Sequence, residues 1–117
     1  VSYSPEIERL ILMFKDPACV SRGEVMKKIC DACSRERSDY LLTRILCELS
    51  YSEFPEIVPP VCNMLTRVKL DKRHYSRVRR VFDHWQESMP GSKAVVKNAM
   101  DDLMKRYPDF GTETLWK

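Results

Sequence analysis

The chain has 117 residues, 44% hydrophobic and 32% charged, with a formal net charge of +3. Those values fit one globular domain with a core of its own and exclude a disordered segment. No stretch approaches the roughly 18–20 apolar residues needed to span a bilayer, and no signal-peptide pattern opens the chain, so a membrane partner is not expected.

Ser4-Pro5-Glu6 reads as a helix start, with a cap, a proline at the first helical position and an acid in the first turn. Ile7, Leu10, Ile11 and Phe14 form its apolar stripe, and Asp16-Pro17 ends it, because the residue before proline is pushed out of the α region. Ser21 with Glu24 matches a capping box. The helix behind it carries Val25, Met26, Ile29, Cys30 and Cys33 inward, and the run Ser34 to Arg37 either continues it or turns. Ser38-Asp39 looks like a new cap, followed by Leu41, Leu42, Ile45, Leu46 and Leu49 on a largely buried helix.

Ser50-Tyr51-Ser52 is a break, and Pro55 opens a short helical turn. Pro59-Pro60 lack the N–H groups a helix interior needs, so they belong in the first turn of the next helix, with Val61, Met64, Leu65 and Val68 inside. Asp71 reads as the cap of a basic helix in which Tyr75, Val78, Phe82 and Trp85 share one face. After Ser88 to Gly91, Ser92 caps a last helix with Val95, Val96, Ala99, Met100 and Leu103 inward, stopped by Pro108. No stretch alternates with the two-residue period of a strand. The expected fold is all-α, six to seven helices in a compact right-handed superhelical stack. Residues 1–110 form one domain and 111–117 a tail in which Leu115 and Trp116 are either docked or free. The start at Val1 reads as a domain cut from a longer protein.

Five cysteines, Cys19, Cys30, Cys33, Cys47 and Cys62, are an odd set at irregular spacing. They read as free packing residues of a reducing compartment, nucleus or cytoplasm. Cys30 and Cys33 form a CxxC in mid-helix, without the further ligands a zinc site needs. His74 and His84 are expected at the surface, away from any nucleophile, and Asp101-Asp102 on a solvated helix face. P-loop, GxGxxG, HExxH and GxSxG patterns are absent. The expectation is a protein that is not an enzyme and uses no cofactor, metal or small-molecule substrate.

The charge is unevenly placed. Arg67, Lys69, Lys72, Arg73, Arg77, Arg79 and Arg80 lie close together with only Asp71 against them. Such asymmetry suits an anionic partner, although a solvated helix face explains it equally well. Arg73, Arg77 and Arg80 recur at i, i+4 and i+7, a row able to receive anionic groups along an extended ligand by charge-assisted hydrogen bonds.

From Tyr40 to Leu103 the chain resembles the RNA polymerase II C-terminal-domain-interacting domain, the CID. The resemblance is carried by YLLTRI (Tyr40 to Ile45), then SYSEFPEIVPPVCNML, then RHYSRVRRVFDHW and KAVVKNAMDDLM. It implies a right-handed superhelix whose groove binds extended heptad-repeat peptides, often phosphoserine-bearing. The acidic position of the family's YLLDSI motif is Thr43 here, with Arg44 beside it, and the asparagine that usually follows is missing. Arg77 and Arg80 fall in the region of the family's phosphate-reading arginine.

The leading functional reading is a module that binds an extended peptide, phosphorylated or not, of a nuclear or RNA-processing protein. Its expected contacts are Arg73, Arg77, Arg80, Lys69, Lys72 and Arg44. The alternative is a HEAT or armadillo-type scaffold that takes a partner helix in an apolar groove. A third reading is RNA binding through the basic helix.

Overall fold

The structure, a computed structural model, describes residues 5–112. The Ser4 cap and the Leu115-Trp116 pair lie outside the described residues. Six α-helices follow one another: α1 (Pro5–Lys15), α2 (Arg22–Glu36), α3 (Asp39–Cys47), α4 (Val58–Arg67), α5 (Tyr75–Ser88) and α6 (Lys93–Arg106). Short 3-10 turns at Leu49–Tyr51, Pro55–Ile57, Lys72–His74, Pro90–Ser92 and Pro108–Thr112 complete the path, and no strand occurs among the described residues. The fold class is all-α.

Local chemistry sets most of these boundaries. Ser38 Oγ accepts the Leu41 N–H at 3.1 Å, which satisfies one of the free donors at the start of α3. Pro59 and Pro60 sit in the first turn of α4, where a missing N–H costs nothing. α2 runs on through Glu36, and Arg37 closes it in the left-handed region at φ 51°, its N–H donating to the Cys33 carbonyl. Ser38 N–H reaches the same carbonyl at 3.2 Å. Three expected caps behave otherwise. Ser92 ends the 3-10 turn ahead of α6 and makes no side-chain cap bond. Ser21 makes no side-chain cap bond. Asp71 stands ahead of the 3-10 turn rather than of α5, makes no cap bond, and pairs with Arg73 at 3.5 Å. Residues 72–74 wind more tightly than an α-helix, which moves the start of α5 to Tyr75.

Alternate helices lie side by side and run the same way. α1 meets α3 through Glu8–Arg44 at 3.7 Å and the Lys15–Glu48 pair. α2 meets α4 at its start, where a Cβ on Gly23 would stand 3.1 Å from the Glu56 carbonyl, and again at Asp31–Arg67, 3.1 Å. α3 meets α5 at Asp39–Arg73, and the turn after α3 meets α5 at Ser50–Trp85. At the end of α4, Arg106 Nη1 from α6 donates to the Leu65 carbonyl at 2.8 Å. In the first three pairs these contacts rise together along both members, and in the fourth the two C-terminal ends meet, so α1, α3 and α5 form one layer and α2, α4 and α6 the other. The side-chain hydrogen bonds joining alternate helices span 33 to 41 residues of sequence, the length of one helical hairpin and its connection.

The core lies between the layers. Trp85, Phe82, Ile29, Met26, Leu41, Ile45 and Met64 are among its fully buried members. Trp85 Nε1–H donates to the Ser50 carbonyl at 2.8 Å, so the indole's one polar group is satisfied inside. Phe110, from the last 3-10 turn, is fully buried with its ring edge-on to Tyr75 at 5.4 Å. Val95, expected inside, is 42% exposed. The inward stripe of α6 is Val96, Ala99, Met100 and Leu103, and Val95 lies one residue off it. No described helix is long and apolar enough to cross a membrane.

Candidate functional site: the edge between α3 and α5

The outward edge of α3 carries Tyr40, Thr43, Arg44 and Cys47, at the i, i+3, i+4 and i+7 spacing of one helix face. Tyr40 is half exposed and Cys47 is exposed. Beside it, in the same direction, runs the row Arg73, Arg77 and Arg80. Arg73 lies in the 3-10 turn ahead of α5, and the other two are on the helix. The structure therefore brings these three arginines to one edge, but in three different states.

Arg73 is neutralised. Its Nη2 lies 2.7 Å from Asp39 Oδ1 and 3.5 Å from Asp71 Oδ2. Arg77 is half-buried and has no carboxylate partner among the described residues. Its Nη1 donates to His74 Nδ1 at 3.1 Å and reaches Thr43 Oγ1 at 3.5 Å. Arg80 is exposed and makes no hydrogen bond or ion pair among the described residues. Its charge acts on Tyr51, whose phenol is raised by burial, and partly opposes that shift.

His74 corrects a sequence expectation. It is 1% exposed, not a surface residue, because the 3-10 turn swings its ring against α3. A guanidinium can only donate, so His74 Nδ1 must be the acceptor and Nε2 carries the ring proton. Nε2–H then donates to Asp39 Oδ1 at 2.9 Å. The chain Arg77 to His74 to Asp39 fixes the tautomer and aims the Arg77 guanidinium toward Thr43. The His74 hydrogen bond, aided by the charge of Arg73, holds the Asp39 carboxyl below its usual range.

Arg44 faces the strip from α3 but is committed to carboxylates, with Nη2 at 3.0 Å from Glu48 and Nη1 at 3.7 Å from Glu8. Lys72 pairs with Asp109 at 3.0 Å. Lys69 is exposed on the connection between α4 and α5, away from the strip, in a groove with Arg37, Arg67 and Arg73. Sequence reasoning missed two residues. His74 shows no signal in sequence, since its burial follows from a 3-10 turn that periodicity does not reveal. Arg37 had one: it stands between the end of one helix and the cap of the next, where glycine is customary.

Three of the five cysteines, Cys30, Cys33 and Cys62, are buried. Burial raises the thiols of Cys30, Cys33 and Cys62, the last two to about 12, and keeps all three protonated. Among the described residues, no group of three or more histidine, cysteine, aspartate or glutamate side chains is placed to hold a metal ion. The chain matches no family model, no curated protein and no solved structure.

Proposed function

We propose that this domain is a non-enzymatic protein-interaction module that takes an extended anionic peptide of a nuclear or RNA-processing partner along the α3/α5 edge. The observation that carries the reading is Arg77. A half-buried guanidinium aimed by His74 and Thr43, with no carboxylate to neutralise it, is complementary to a negative group arriving from outside. Arg80 extends the same charge by a turn, and Tyr40 offers a half-exposed ring at the other end of the edge. The resemblance of Tyr40 to Leu103 to CTD-interacting domains supports a peptide over other anions. It makes the polymerase heptad, phosphorylated on serine, the first ligand to test.

The test is a titration of the isotopically labelled chain with phosphorylated and unphosphorylated heptad peptides and a short single-stranded RNA, at two salt concentrations. The expected result is shifts with phosphopeptide that map to Thr43 and Arg73 through Arg80. Arg77→Glu with Arg80→Glu is expected to weaken binding at least about tenfold, since it removes two charge-assisted contacts. Normal binding by that double variant would remove this edge as the site. Shifts with RNA alone that vanish at higher salt would replace the peptide reading with nucleic-acid binding.

A further inference from the structure

We infer that the groove at the α2–α3 corner, which shares Arg73 and Asp39 with the α3/α5 strip, is a second anion site, and that its ligand is a phosphate dianion, free or as a monoester. The groove encloses about 560 Å³, and its charged lining is Arg37, Arg67, Lys69 and Arg73 against Asp39 and Asp71. Both carboxylates are already spent on Arg73, and Arg67 is held by Asp31 at 3.1 Å. The side chains of Arg37 and Lys69 are exposed and make no hydrogen bond or ion pair among the described residues. Two cations with no paired carboxylate thus line one concave surface, where four cationic side chains stand against two carboxylates.

One further feature points the same way. Arg37 occupies the position at φ 51° that glycine or asparagine fills without strain. An arginine kept there at a conformational cost is supplying something glycine cannot, and its guanidinium is what it adds. The geometry favours a compact dianion over an extended polyanion, because the two unpaired cations line one concavity.

The site is tested with inorganic phosphate and with N-acetyl-phosphoserine amide, each titrated into the labelled chain at constant ionic strength, with chloride as the blank. The expected result is saturable shifts in residues 34–42 and 68–73 with both probes and none with chloride. Tighter binding of the phosphoserine amide would identify a phosphorylated partner as the source; tighter binding of phosphate would identify the free ion. Arg37→Gly is the diagnostic variant. It is expected to weaken phosphate binding by roughly fivefold to tenfold, through loss of one charge-assisted contact, while raising the melting temperature, because glycine adopts the left-handed backbone freely. Lys69→Ala is expected to weaken binding without moving the melting temperature. Absence of saturable shifts, or phosphate binding unaltered in both variants, would overturn the site. Arg77 and Arg80 are untouched in these variants, so the outcome is independent of the peptide reading.

Discussion

Trp85 joins two roles in one side chain. Its ring fills the space between the layers beside Phe82, and its N–H caps the Ser50 carbonyl in the turn after α3. Trp85→Ala is expected to cost about 3–5 kcal/mol, a cavity plus an orphaned carbonyl, read as a lowered urea midpoint. An unchanged midpoint would mean the indole is not in the core. The buried thiols give a pH dependence. Cys33 and Cys62 rise from an ordinary 9.0 to about 12 on folding, so the unfolded chain ionises first as pH climbs. Their contribution to stability is complete below pH 9 and lost between 9 and about 12. The melting temperature should fall over that window, and less steeply when both residues are alanine; identical slopes would refute the assignment. Residue identity alone made the thiols legible as packing groups, since they lie on apolar stripes. It did not make His74 legible, because a lone histidine among arginines looks solvated until the turn before it is known to be 3-10.

At the scale of elements, four sequence caps had the right residue types but different outcomes. Ser38 closes its hydrogen bond to Leu41, whereas Ser21, Asp71 and Ser92 leave theirs unmade. Ser38→Ala is therefore expected to destabilise the protein by about 1 kcal/mol, and Ser21→Ala by no more than a few tenths. Paired thermal melts of the two variants check this, and equal losses would contradict the geometry. Apolar periodicity located the six helices and most of their buried faces, because 3.6-residue spacing is a property of each helix by itself. It placed Val95 inside because the run Val95-Val96 offers two adjacent candidates for one inward position. It passed over Phe110, which follows Pro108 in a five-residue turn too short to have a period. The row Arg73, Arg77 and Arg80 was legible for the same reason as the helices. Which of the three is neutralised was not, because Asp39 and the Thr43 hydroxyl, which decide it beside Asp71, stand on α3, 34 residues away.

At the scale of the molecule, the parallel run of alternate helices is a repeat written in contacts, not in letters. No fixed period is visible in the sequence, yet the bonds between alternate helices all span 33 to 41 residues. Each hairpin needs only apolar volume at the right positions to dock on the next, so different residues meet the same requirement in each. A stack of this kind behaves as a nearly one-dimensional chain of cooperative units, its stability a sum of hairpin terms and nearest-neighbour interfaces. Opening can then begin at either end of the stack while the middle holds. The α3/α5 edge joins the helix that follows the first hairpin, α1–α2, to the helix that opens the last, α5–α6. A ligand lying along that edge would fasten one unit to the next, and its binding energy would be felt as slower fraying of the terminal hairpin, well beyond the residues it touches.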